Sequence, residues 1–346
     1  MRFLIAGLGS VGQRHVRNLR HLLGDDAEIF AWRVRGRDVV IDDRLNAEYG
    51  RRPEDAYRLA RVLDLPAGLA LSPDAVIVAN PIAFHLDTAR AAVAAGCHVF
   101  VEKPLADRWD GIPDLIASVH AQNLVGYVGY QMRFHPGLQR VKRWLEDGAI
   151  GDVVSASLHF GEYLPGAHPY EDYREGHTAR RAEGGGVILA LSHELDMAHW
   201  LFGMPTRVYA AGGHLSGLAI DVEDTATIVL ECRVRGRLLP VHVHLDFVER
   251  PPHRFGCIVG EQGSIRWDHQ DNTVACYEVS ADRWRTESFL DVERNHLFLD
   301  EMRNFLRAIE GKEDPAIPLE EGAKALKVAL AVRASLGNGR TTEVEA

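Results

Sequence analysis

"RFLIAGLGSVGQRHVRNLRHLL", residues 2–23, decides the fold. Phe3, Leu4 and Ile5 form a short unbroken apolar run, the pattern of a strand covered on both faces of a parallel sheet. Gly7, Gly9 and Gly12 follow at once in G-x-G-x-x-G spacing, and Val16, Leu19, Leu22 and Leu23 then recur at helical intervals. In a strand–turn–helix unit each glycine has its own task. Gly7 permits the tight turn, Gly9 lets the backbone approach a pyrophosphate, and Gly12 lets helix and strand pack closely. Ser10 and Val11 open the helix, whose free N–H groups face the phosphates. Gly7, Gly9, Ser10, Val11 and Gly12 are therefore expected to hold a dinucleotide.

Outward from this unit the alternation continues. "AEIFAW" predicts the second strand, and "DAVIVAN", residues 74–80, a further buried one. Asn80-Pro81 ends it at its carboxyl edge, where a bound dinucleotide lies, so Asn80, Pro81 and the nearby His85 are candidate cofactor contacts. "HLDTARAAVAAG" predicts a helix stopped by Gly96, followed by the strand "HVFVEKPL". Strands alternating with helices imply an α/β, doubly wound parallel sheet of the Rossmann type over residues 1–123. A carboxylate at the end of the second strand would hold an unphosphorylated ribose. Trp32, Arg33, Val34 and Arg35 stand there instead, and no acid occurs before Asp38. Arginines suit a 2′-phosphate, so NADP is expected with Arg33 at the ribose, and NAD is the alternative.

From about residue 152 the pattern changes. "DVVSASLHF", "DTATIVLEC", "LLPVHVHLDF", "FGCIVGEQGSIRW" and "TVACYEV" alternate apolar and polar residues, as antiparallel strands with one covered face do. Helices are predicted at about 137–147, 193–202 and 296–310. Residues 124–346 thus read as an α+β substrate-binding domain with a large, open-faced, mainly antiparallel sheet. Its uncovered face predicts a homodimer or homotetramer.

Bulk properties exclude several classes. The 346 residues suit two domains, and a net charge of −10 opposes nucleic acid or an anionic membrane as the main partner. Cys97, Cys232, Cys257 and Cys276 are scattered without zinc or redox spacing, which fits a reducing cytoplasm. No apolar run approaches the roughly 20 residues that span a bilayer.

Glu102-Lys103-Pro104 in "VFVEKPLA", residues 99–106, follows an apolar strand about 90 residues past the glycine turn. In this the chain resembles the Gfo/Idh/MocA oxidoreductases, NAD(P)-dependent sugar and cyclitol dehydrogenases. "YQMRFHPGLQRVKRWLEDGAIGDV" is similar to the start of that family's second domain, and residues 305–344 to its closing helices. The resemblance implies a hydride transferred between nicotinamide and a hydroxyl or keto carbon of a sugar derivative, acidic or nucleotide-linked. It places Glu102 and Lys103 beside the nicotinamide, with Lys103 assisting proton transfer. "HELDMAHWLFG" matches the histidine end of a further family pattern, which makes His193 the general acid/base and brings Asp196 to the substrate. The family's upstream aspartate is replaced by the run Leu189, Ala190, Leu191.

Other classes stay open. A dinucleotide-binding sensor without catalysis would keep this fold, and a reductase of a non-sugar substrate is a further possibility. The long polar segment 161–186, "GEYLPGAHPYEDYREGHTARRAEGGG", offers Tyr163, Tyr173 and Arg180 to a sugar ring or its acidic group. His168, Tyr170, Arg174 and Arg181 lie in the same stretch. Gln131 and Arg133 also fall near the implied site. No metal is expected: His193 and His199 lack the His-Glu-x-x-His spacing, and His242 and His244 share a strand face without an evident third ligand.

Overall fold

The computed structural model describes residues 1–344, so the last two residues of the expected second domain lie outside it. The strands of the first half are β1 (Arg2–Ala6), β2 (Glu28–Trp32), β3 (Val39–Ile41), β4 (Ala47–Tyr49), β5 (Ala60–Arg61), β6 (Ala75–Val78), β7 (His98–Glu102) and β8 (Gly126–Gly129). Six of them form one sheet in the order β5-β2-β1-β6-β7-β8, all parallel, while β3 and β4 make a separate hairpin. Around them lie the helices α1 (Ser10–Leu23), α2 (Pro53–Tyr57), α3 (Leu65–Leu69), α4 (His85–Ala94) and α5 (Ile112–Ala121). Strand order reverses at β1, and the crevice there is the expected dinucleotide position. The unbroken apolar strands are fully covered: every residue of Ala75–Val78 is buried, as is Phe3–Ala6. The last strand, Gly126–Gly129, lies beyond residue 123, where the sequence ends the first domain.

The second half adds α6 (Pro136–Glu146), α7 (Leu164–Ala167), α8 (Val187–Ala190), α9 (His193–Phe202), α10 (Arg294–Ile309) and α11 (Leu319–Asn338). Its strands are β9 (Val153–Gly161), β10 (Pro205–Gly213), β11 (Thr225–Val234), β12 (Arg237–Asp246), β13 (His253–Gly260), β14 (Gly263–Asp268), β15 (Thr273–Glu278), β16 (Arg283–Ser288) and β17 (Thr342–Glu343). They build one nine-stranded sheet, β16-β15-β14-β13-β9-β12-β11-β10-β17, antiparallel except where β9 runs beside β12. The alternation seen in the sequence sorts its two faces. Leu239, Val241, Val243 and Leu245 of β12 turn inward and are buried, whereas His242 points out.

The closing helices return to the first sheet. Val128 N–H donates to Ile317 O at 3.0 Å, and a bridge joins Tyr127 to Pro318. Phe305 of α10 meets the rings of Phe100 and Tyr127 edge-on at 5.5 and 5.8 Å, and Phe298 meets His15 of α1. The core of the first domain is thus completed by residues from the end of the chain.

Candidate active site

The glycine turn is shaped for a ligand that approaches its backbone. Gly7 has φ +106°, and a Cβ there would stand 2.5 Å from Ala79 O. A Cβ on Gly12 would stand 2.0 Å from Gly7 O, so helix and turn touch. Around Gly9 there is nothing within 4 Å, and Gly9 is the N-cap of α1. The free N–H groups of α1 therefore open onto vacant space, the arrangement a pyrophosphate needs.

At the carboxyl ends of β6 and β7 the chain assembles titratable groups. Asn80 Nδ2 donates to Thr88 Oγ1 at 2.9 Å, and its Oδ1 is buried with no partner among the described residues. Lys103 extends its ammonium to Ala190 O at the end of α8, three residues before His193. Burial lowers the Lys103 pKa against the opposing pull of Glu102 and Glu162. His193 begins α9, is 5% exposed, and meets the Tyr130 ring edge-on at 5.5 Å. Its Nδ1 has no partner among the described residues. Burial, then the charges of Lys103, Arg254 and Arg294, push its pKa well below 6.5. The imidazole is thus neutral near pH 7 and equipped to accept a proton.

Several expected contacts serve the scaffold instead. His85 is buried with its ring nitrogens 2.9 Å from Pro104 O and 2.8 Å from Asn80 O, so it ties the ends of β6 and β7 together rather than facing a cofactor. Glu102 pairs with His15 Nε2 at 2.6 Å. Burial alone would raise its pKa, but the His15 hydrogen bond and the charges of His15 and Lys103 hold it low. Arg33 is 8% exposed and grips Glu54 with two N–H groups at 2.8 and 3.0 Å, then Asp38 and Arg37 O. Its donors are engaged inside the domain, and a 2′-phosphate at this position would have to compete with Glu54 and Asp38 for them. Arg133 and Asp196 are likewise bound to each other, at 2.7 and 3.0 Å, with Glu321 and His199 completing a buried network. Gln131 is buried beside this network.

Segment 161–186 folds over the crevice. Tyr170 hydrogen-bonds Ser10 at the start of α1, and its carbonyl accepts from Tyr49 OH at 3.0 Å. Arg35 pairs with Glu183 at 2.8 Å, and Arg37 with Glu171 and Glu175 at 2.7 and 2.6 Å. Tyr163 stacks under Arg250, Tyr173 OH accepts from Ala219 N–H, and Arg180 donates to Arg174 O. Tyr163 and Tyr173 thus tie the segment to the chain beyond it, and Arg180 ties it to itself. His168 and His177 face Lys103 from this cover, and burial lowers them to about 4 and about 3.

After Lys103, the charges that act most on His193 come from residues the sequence did not single out as site residues. Arg254 Nε donates to the fully buried Glu194 Oε1 at 2.6 Å, leaving Arg254 Nη2 and Glu194 Oε2 buried without partners among the described residues. Glu162 faces Lys103, Arg254 and Arg294, and burial still raises its pKa. Arg294 has no ion pair within 4 Å among the described residues, and burial in the cleft lowers its pKa. Strand alternation could have put Glu162 and Arg254 on the helix face of β9 and β13. Only the pairing register brings them together.

Two family models match the chain: "Oxidoreductase family, NAD-binding Rossmann fold" over residues 1–130 and "GFO/IDH/MocA C-terminal domain" over residues 138–266. The chain is 28% identical to a myo-inositol 2-dehydrogenase of Thermotoga maritima over 357 aligned positions, covering 100% of this chain and 99% of that protein. It is 25% identical to a D-xylose 1-dehydrogenase (NADP(+)) of Haloferax volcanii, with both chains fully covered. Among solved structures, the WlbA dehydrogenase of Bordetella pertussis in complex with NADH and UDP-GlcNAcA superposes with TM-score 0.81 at 23% identity, covering 100% of this chain and 98% of that one.

Proposed function

Because the chain belongs to the GFO/IDH/MocA oxidoreductases, we propose that it passes a hydride between nicotinamide and a carbinol or carbonyl carbon of a polyhydroxylated ring, with His193 handling the hydroxyl proton. The observation that carries this reading is a buried His193 with Nδ1 unpartnered among the described residues, with Lys103 reaching Ala190 three residues before it at the carboxyl end of the parallel sheet. The open space beyond Gly9 and the first turn of α1, Ser10 and Val11, fit a dinucleotide, and Asn80 with Pro81 would hold its nicotinamide half. Lys103 polarises the reacting oxygen. His193 takes its proton in oxidation and returns it in reduction. Glu162 faces Lys103 and takes the part of the carboxylate missing at Leu189–Leu191.

Relatives act on inositol and xylose, and one structural neighbour holds an acidic nucleotide sugar. The free Arg254 Nη2 and unpaired Arg294 favour a substrate bearing a carboxylate or phosphate. A preference for NADP would now act through Arg35, which a 2′-phosphate would draw from Glu183. We further assign the open face of the second sheet to a homodimer or homotetramer contact, and the protein to the cytoplasm on its four unpaired cysteines. No helix among the described residues is long and apolar enough to cross a membrane.

The test is cofactor reduction with a panel of cyclitols, aldoses, uronic acids and nucleotide-linked uronic acids. We expect turnover with an acidic sugar, and His193→Asn to retain cofactor affinity while losing kcat by roughly 10²–10⁴-fold. Lys103→Met should also lose rate, and less than additively in the double variant. Turnover by His193→Asn equal to the parent's would remove His193 from the mechanism. Cofactor binding without turnover of any panel member would instead favour a sensor.

A further inference from the structure

The face of the second sheet turned away from its helices carries a cluster that catalysis does not use. Register lays Thr227, His244, His159 and Phe255 in one row across β11, β12, β9 and β13. The next row runs Thr225, Asp246, Gly161, His253. The glycine leaves a hole at its centre, and two carboxylates fill it. A Cβ on Gly161 would stand 2.0 Å from Glu249 Oε2 and 2.6 Å from Asp246 Oδ2. His159 Nε2 lies 2.7 Å from Glu249 Oε2, and His244 Nε2 lies 3.2 Å from Asp246 Oδ2. One donor atom each of His159, Asp246 and Glu249 falls within 4.8 Å of the others.

We propose that His159, Asp246 and Glu249 form a divalent-metal site suited to Zn²⁺, with His244 Nε2 holding Asp246 beside it.

Charge supports it first. Two carboxylates converge on one point, and among the described residues only histidines pair with them, with no lysine or arginine in reach. A cation between two converging carboxylates is attracted by both. Donor type supports it next, because an imidazole nitrogen among two carboxylate oxygens suits zinc better than calcium or magnesium, which prefer oxygen alone. The surroundings support it third. Asp246 Oδ1 accepts from the N–H groups of Val248 and Glu249 at 2.8 and 2.7 Å, which leaves Oδ2 to the cation. Thr227 Oγ1 lies 3.0 Å from His244 Nδ1, which turns Nε2 toward the cluster. The His159 ring is stacked between His244 and Phe255, with centroids 5.0 and 4.7 Å away. Contacts of this kind orient ligands at metal centres. The three donors come from β9, the end of β12 and the turn that follows it, so the role is structural. The ion would clamp the end of β9 to β12 and to the turn bearing Glu249, while the neighbouring Glu162 faces the cleft from the other side of the strand.

The tag-free full-length protein, stripped with chelator, is titrated with Zn²⁺ against a chromophoric zinc indicator and melted with and without the ion. One Zn²⁺ per chain and a raised Tm are expected. His159→Gln and Glu249→Gln should each weaken binding at least about tenfold, the lower end of what losing even an outer partner costs, while dinucleotide binding persists. His242→Gln, one row away on the same strand, should bind as the parent does. No saturable zinc uptake by the parent, or uptake undiminished in both His159→Gln and Glu249→Gln, overturns the proposal.

Discussion

At the scale of single residues, position in the sequence revealed chemistry best where the backbone itself is the instrument. The three glycines of the turn could be assigned their tasks before any contact was known, because each task is a demand on φ or on space. Charged residues were legible only as charges. Arg33 stands where a ribose phosphate would be read, yet its partner Glu54 lies 21 residues on and no local pattern reveals it. Arg33→Ala should therefore destabilise the fold by about 3–5 kcal/mol, the cost of stranding a buried partner, with both cofactors weakened alike. Arg35→Ala should leave stability within about 0.5 kcal/mol and alter only the ratio of NADPH to NADH affinity. Urea unfolding and fluorescence titration separate the two, and a cofactor ratio moved by Arg33→Ala alone would restore the sequence-based assignment. Glu301 is a second case. It is fully buried on α10 with neither oxygen partnered among the described residues, and burial raises its pKa well above 4.5. A raised carboxyl pKa favours folding below the unfolded value and costs stability as pH climbs from about 4.5 toward the folded value, because the unfolded chain releases a proton that the native chain keeps. Glu301→Gln should abolish that slope, worth about 1.4 kcal/mol per pH unit, and so gain on the parent at pH 8 relative to pH 5. Parallel stability curves for the two proteins would show that Glu301 is ionised and solvated.

At the scale of elements, periodicity found the helices around 137–147, 193–202 and 296–310, observed as α6, α9 and α10. It found little in segment 161–186, for a physical reason. That stretch is a chain of short turns, Tyr173–Glu175, His177–Ala179 and Arg181–Glu183, held by ion pairs to another element instead of by a repeating apolar face. The run Gly184–Gly186 reads as a flexible hinge but is closely packed: a Cβ on Gly185 would meet Thr178 O at 2.5 Å, and one on Gly186 would meet Glu223 at 2.3 Å. The turn ahead of α1 is the converse, open at Gly9. Gly9→Val should therefore fold with an unchanged melting temperature and lose measurable dinucleotide binding, since the added side chain projects into free space rather than into the core. Normal cofactor affinity in that variant would reduce the glycine turn to a connector.

At the scale of the whole molecule, the sheet's open face carries Tyr209, Val229, Leu238 and Val259, each at least 39% exposed, on β10, β11, β12 and β13. Light scattering should report more than one chain per particle, and Val229→Glu should shift the protein to monomers at equal concentration, because a charge opposes burial of that face. A parent protein that scatters as a monomer would remove the assigned contact.

The return of α10 and α11 to the first sheet also bears on how the chain acquires its structure during synthesis. Phe100 and Tyr127 leave the ribosome with their aromatic partner Phe305 roughly two hundred residues behind, and Val128 must wait for Ile317. Vectorial emergence therefore cannot deliver a finished nucleotide fold followed by a finished sheet. The early portion stays incomplete, its apolar flank in need of chaperone shelter, until the final helices arrive and both halves close in one cooperative event.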